Sequence, residues 1–363
     1  MLGTVSERRL IGLVAGIVVL AMLVGGAIGL SLARRPAHTP GTPESHAPRP
    51  APNYVPIEDV VPGQRRETPR GTYVAHCGDN EEGHWNSDNF IVSPGIRNGA
   101  HHLHDYVGNT DSSAASTDES LAAAGTTCAD RGDTSAYFWP VLRDRTDVAG
   151  QQRVPGEDPA DGNVGRVLRP RVTLRFEGNP YAPVVAPPRL LRVLTGDAKA
   201  VTAGARNARA TYTCAGFEDR ITTVAYPLCP LGRGLTRILE FPSCWDGRNT
   251  DSAGHRAHMR FPDRAGRCPA ATRPVPKLTM TLVYDVPAGP SFAIDTFGDQ
   301  GHAPITDHAD FVNLRTAAST ALLLRCLNAK PRAAGTASPS TPTAPPGTPG
   351  RPAPSTTPPA GCG

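Results

Sequence analysis

A β-rich, mainly antiparallel and sandwich-like domain closed by a C-terminal helix, and preceded by one transmembrane helix, is the fold class this sequence predicts. Three observations predict it. Two segments alternate apolar and polar residues with period two. Proline and glycine recur between short apolar runs as turns. One uncharged apolar run stands near the N-terminus.

The apolar run spans residues 10–30 and carries no charged or polar side chain. It meets the ~20 residues a helix needs to cross a bilayer core. Arg8 and Arg9 precede it and Arg34 and Arg35 follow, so flanking charge gives little orientation. Cysteine placement decides instead. All eight cysteines follow the run, which suits an oxidising compartment. Residues 1–33 therefore read as a cytoplasmic tip and membrane anchor, with the rest of the chain outside the cell. The alternative is a cleaved signal peptide with a small-residue site at Ser31-Leu32-Ala33. The run exceeds a usual signal-peptide core, which favours an uncleaved signal-anchor in the cell membrane.

Residues 34–70 are rich in proline, alanine and arginine and read as a linker; residues 330–363 read as a disordered Pro/Thr/Ser-rich tail. Between them, residues 71–329 form the extracytoplasmic domain. Val172, Leu174 and Phe176 share one strand face, as do Leu278, Met280, Leu282 and Tyr284 over 277–286. Shorter strands are expected at 190–194, 210–213 and 236–241. Helical spacing is expected over 310–327, with a short second helix over 116–124. The net charge of +4 is spread along the chain, so no nucleic-acid surface is expected.

The cysteines contain no CxxC pair, which disfavours zinc ribbons and thioredoxin-like sites. Proximity pairs Cys77 with Cys128, Cys214 with Cys229, and Cys244 with Cys268. Cys326 is left as a buried thiol or as a partner for Cys362 in the tail.

Seven of the eleven histidines fall in three short clusters. His101, His102 and His104 precede Asp105, and an HxH pair on a strand aims two imidazoles to one side. His255 and His258 follow Asp246 and Asp251. His302 and His308 precede Asp310. The plain alternative for each is a loop histidine bonded to backbone. Three clusters in one domain favour a shared polar site, with His102, His104, His255, His258, His308 and Asp310 as candidate ligands of one divalent transition metal. Asp105, Asp246 and Asp251 are the candidate catalytic carboxylates. Trp245 is either a sugar platform or packing against a disulfide. No GxSxG elbow, HExxH helix or phosphate loop is present.

Phe241-Pro242-Ser243-Cys244-Trp245-Asp246-Gly247, then Asp251-Ser252 and His255-Arg256-Ala257-His258-Met259, resembles the signature of a secreted family of unknown function found in filamentous fungi and actinobacteria. Val92-Ser93-Pro94-Gly95, His102-Leu103-His104-Asp105, Gly108-Asn109, Thr126-Thr127-Cys128, Gly196-Asp197-Ala198 and His308-Ala309-Asp310-Phe311 extend the likeness across nearly all of the domain. The chain departs from the pattern at Tyr106-Val107, where two aromatics are usual, and at Asn313-Leu314-Arg315, where a Gly-Trp pair is. The resemblance implies that the histidines and aspartates belong to one site. It also implies carbohydrate as a partner, because fungal members often carry WSC carbohydrate-binding domains. Asn109 joins Trp245 as a candidate substrate contact. Two readings follow: an extracytoplasmic enzyme acting on cell-wall or extracellular polysaccharide, or a non-catalytic wall-binding or surface-interaction module.

Overall fold

The computed structural model describes residues 53–63, 69–147 and 161–329, with Cys362. The expected anchor at 10–30 lies outside these residues. Among the described residues, no helix is long and apolar enough to cross a membrane.

Ten strands build the two main sheets: β1 (Thr72–Ala75), β2 (Trp85–Asn86), β3 (His104–Gly108), β4 (Ala136–Pro140), β5 (Arg171–Glu177), β6 (Arg192–Gly196), β7 (Tyr212–Cys214), β8 (Leu235–Glu240), β9 (Lys277–Tyr284) and β10 (His308–Val312). The first sheet has the order β7-β8-β9-β5-β1 and the second β2-β3-β4-β10-β6. Every neighbouring pair in both is antiparallel. Smaller sheets flank them, including Cys244–Trp245 between Met259–Arg260 and Arg273–Pro274.

In the first sheet, β9 alternates strictly, with Leu278, Met280, Leu282 and Tyr284 buried and the residues between them partly exposed. Leu174 and Phe176 of β5 lie opposite Met280 and Leu278. These side chains meet Tyr137 and Trp139 of β4, Val193 of β6 and Phe311 of β10 in one core. The second sheet differs, because β3, β4 and β10 are buried on both faces. Its inner face joins that core. Its outer face carries Tyr106, Phe138, Leu194 and Val312 and is covered by Phe90 and Ile91.

Two sequence expectations change here. The helix expected over 310–327 divides: residues 308–312 form the central strand β10, and helix α2 runs Ala317–Leu327. Thr316 starts the helix as its N-cap, its hydroxyl accepting from the Ser319 amide. The short helix α1 is Asp118–Ala123, closed by a reciprocal Thr117–Ser120 capping box. Part of the expected linker is structured. Tyr54–Pro56 pairs with Tyr226–Leu228, and Ile57 is fully buried. Aromatic packing holds it there, Tyr54 touching Tyr226 and Phe292. A few apolar residues suffice to dock a proline-rich segment.

All three expected disulfides form, and Cys326 pairs with Cys362, which fixes that point of the tail to α2.

Candidate metal centre

Strand alternation decides which groups can meet. His104 points to the outer face of the second sheet, where its ring touches Phe138. On β10, His308 and Asp310 are two residues apart and share that face, while Ala309 and Phe311 enter the core. His102 lies just before β3. Its Nε2 stands 3.1 Å from Nε2 of His104 and 3.1 Å from Nε2 of His308. All three rings are buried.

Their tautomers follow from the backbone. Nδ1 of His104 donates to the Asp88 carbonyl at 2.9 Å, and Nδ1 of His308 donates to the Thr306 carbonyl at 3.0 Å. Both Nε2 atoms therefore present lone pairs. Nδ1 of His102 makes no well-formed hydrogen bond, although the Ala100 carbonyl acts on it. Burial lowers the pKa of all three rings. It puts His104 at about 3, and neighbouring rings reinforce the shift for His102 and His104. A proton on Nε2 of His102 could satisfy only one of its two contacts; a cation satisfies all three. The spacing lets each nitrogen sit roughly 2.0–2.1 Å from one ion. These residues could hold a metal ion.

Two buried ion pairs fix the histidine segments. Arg143 binds Asp295 through two hydrogen bonds of 2.6 and 3.0 Å, and Asp295 also accepts from the Leu103 amide, between His102 and His104. Arg237 grips Asp307, the residue before His308, at 2.6 and 3.0 Å. Bidentate pairs of this kind fix orientation as well as contact. Gly196 lies opposite His308 in register with a φ of +76°. A Cβ there would stand 2.1 Å from the Asp307 carbonyl oxygen, so this close approach of β6 requires glycine.

A cleft of about 480 Å³ reaches His102, His308 and Asp310. Burial pushes Asp310 up to about 7, against the lowering effects of Arg256 and of Asn89, whose side-chain amide donates to Oδ2 at 3.2 Å. Arg256, Lys199, His255 and Phe297 stand around the mouth. A groove of about 510 Å³ elsewhere contains no histidine, and its Lys277 is paired with Glu177 and Glu240.

The remaining candidates from the sequence lie apart from the three rings. Asp105 follows His104 and so faces the opposite side of the sheet, where Asn80 and Trp85 donate to Oδ1 at 2.5 and 3.0 Å. Burial pushes it, too, up to about 7. His258 is satisfied locally, Nε2 by the Arg192 carbonyl at 2.7 Å and Nδ1 by Ser252 Oγ at 2.8 Å. His255 pairs with Asp251 at the cleft rim. Asp246 closes a turn by accepting from the amides of Arg248 and Asn249. Trp245 packs at the core edge and donates to the Asn249 carbonyl. Asn109 is buried, its amide donating to the carbonyls of Leu121 and Thr134. A second grouping, Cys77, Cys128 and Asp133, offers no thiolate because its sulfurs are bonded to each other.

Sequence reasoning passed over Asp88, Asn89, Arg143, Lys199, Arg237, Asp295, Phe297 and Thr306. Asp88 and Thr306 act through backbone carbonyls, which leave no side-chain signature. Arg256 stood within the quoted motif but was given no role.

No curated protein and no solved structure matches the chain. Residues 89–314, from the asparagine that holds Asp310 to the strand carrying His308 and just beyond, match one family, and the chain belongs to it: the domain of unknown function DUF1996.

Proposed function

We propose that this is an extracytoplasmic metal-dependent enzyme acting on cell-wall or extracellular polysaccharide, with His102, His104 and His308 holding one divalent transition metal. The observation that carries the reading is the convergence of three neutral Nε2 atoms, two of them fixed as lone-pair donors by backbone carbonyls. Carbonyl acceptors behind ligating histidines are how proteins set ring tautomer and orientation at metal sites. A metal bound there would polarise a substrate oxygen or lower the pKa of a water. Asp310 shares the face of His308, lines the cleft and, among the described residues, keeps Oδ1 without a partner, which supports its exchanging a proton with bound substrate. Asn89 holds that carboxylate by a hydrogen bond, and Arg256 acts on it electrostatically. The four disulfides support a location outside the cytoplasm. The apolar run at 10–30 supports a single-pass anchor.

The test is metal analysis of the purified full-length chain, joined to an assay for reducing ends released from wall polysaccharide. We expect one equivalent of a transition metal, and turnover that a chelator stops and the metal restores. A chain that takes up no zinc, manganese, iron or copper overturns the metal centre. A loaded chain that binds polysaccharide and never cleaves it makes the domain a wall-binding module instead.

A further inference from the structure

Two cations, Arg256 and Lys199, line the cleft, and among the described residues neither closes a salt bridge. Arg256 is anchored by one hydrogen bond, from Nη2 to the Gly196 carbonyl at 2.7 Å, and among the described residues its Nε and Nη1 have no acceptor. It stands close enough to Asp310 and His308 to act on both electrostatically. Lys199 lies with Nζ 4.7 Å from the centre of the Phe297 ring, and that ring packs edge-on against His102 at 5.4 Å. One cation is thus tied to the His308 side of the three rings and the other to the His102 side. The other titratable groups at the mouth are engaged or opposed. His255 pairs with Asp251, and His101 pairs with Asp161. Asp197 accepts from the Lys199 amide and from Asn207.

An arginine that is fixed at one edge, lines a cavity and keeps donors unengaged can take a planar or tetrahedral oxyanion. A lysine resting on an aromatic ring keeps its ammonium available as a point charge. We infer that Arg256 and Lys199 form an oxyanion subsite, so the substrate carries an anionic group, a carboxylate or a phosphodiester, beside the position addressed by the three histidines. The inference deepens the proposed function and rests on it for the chemistry, but the subsite itself is built from residues that are not metal ligands.

The experiment measures binding of three oligomers to the full-length chain by calorimetry: a galacturonate tetramer, a neutral galactose tetramer, and a glycerol phosphate tetramer. Metal content is measured in parallel. At least one anionic oligomer should bind about 10-fold or more tighter than the neutral one, the scale of one charge-assisted hydrogen bond. R256Q and K199Q should each erase most of that preference while metal content stays at the wild-type level. Preference for galacturonate assigns a carboxylate, and preference for glycerol phosphate assigns a phosphodiester. Equal binding of all three, or a preference that survives in R256Q, overturns the subsite. If wild type holds no metal yet prefers the anion through Arg256, the metal reading falls and the subsite stands. If metal is present and the preference is absent, the reverse holds.

Discussion

Two histidine-bearing regions of this domain look alike in sequence and differ in structure. In the 251–258 loop, His255 and His258 follow a conspicuous motif, yet each finds its partners nearby: Asp251 for one, Ser252 and the Arg192 carbonyl for the other. In the second sheet, His102, His104 and His308 come from segments some 200 residues apart and turn their Nε2 atoms on each other. A histidine whose partners are nearby protein groups holds a loop. Three whose lone pairs converge are arranged so that one cation could satisfy all of them.

The largest effect should come from breaking the converging group. H308A or H104A should reduce bound metal from one equivalent to a trace. The affinity loss should exceed the roughly 10–100-fold typical of changes behind a ligand. Elemental analysis after dialysis checks it. H258A, measured the same way, should retain full metal. If H258A lost metal and H308A kept it, the assignment of roles to the two regions would be reversed.

Next in size is D310N. It keeps the shape of the carboxylate and its place beside Asn89 but cannot accept a proton. Under the proposed function, kcat should fall about 10²–10⁴-fold with metal content unchanged. N89A, which removes only the amide that holds Asp310, should cost less, roughly 10-fold. A D310N protein with wild-type turnover would leave Asp310 a structural acid.

How much of this was legible in the sequence depends on which sheet is considered. In the first sheet one face meets the core and the other meets solvent, so β5 and β9 alternate visibly. The second sheet is covered on both sides, so Ala136–Pro140 is apolar throughout and His308–Val312 mixes polar and apolar residues with no exposed face. Ala136–Pro140 therefore shows no period-two signal, and the alternation in His308–Val312 is too short to stand out, so residues 310–312 were absorbed into an expected helix. The HxH spacing did reveal that His102 and His104 share a side. That His308 joins them depends on pairing between β3, β4 and β10, which local pattern does not encode. Asp105 illustrates the opposite error: adjacency in sequence to His104 put it on the other side of the sheet. Cysteine proximity gave the three short pairings because a close partner along the chain is also the cheapest loop to close.

The stability of the loop region sharpens the contrast further. His258 is buried, and H258A would leave the Arg192 carbonyl and Ser252 hydroxyl without their partner. The cost should be about 1–3 kcal/mol. For a domain of this size that lowers Tm by roughly 2–4 °C per kcal/mol, readable by calorimetry. H308A in metal-free protein releases the Thr306 carbonyl and the contact with His102 Nε2, so the comparison with H258A is read from metal content rather than from Tm.

The smallest expected effect tests the boundary between the regions. His255 belongs to the loop by its partner and to the cleft by its position, with its side chain 25% exposed and paired to a 30% exposed Asp251. Exposed pairs of this sort contribute about 0–1 kcal/mol, and this one is ionic only when the imidazole is protonated. H255A should therefore leave metal content unchanged and move Tm by no more than about 2 °C. Its ring does not belong to the set whose ligand atoms lie within 4.8 Å of one another, whereas His308 does. Loss of metal in H255A would mean that the loop swings inward when the ion binds. The centre would then have a fourth imidazole, and the division between a loop-holding and a ligand-holding region would not hold once the ion is bound.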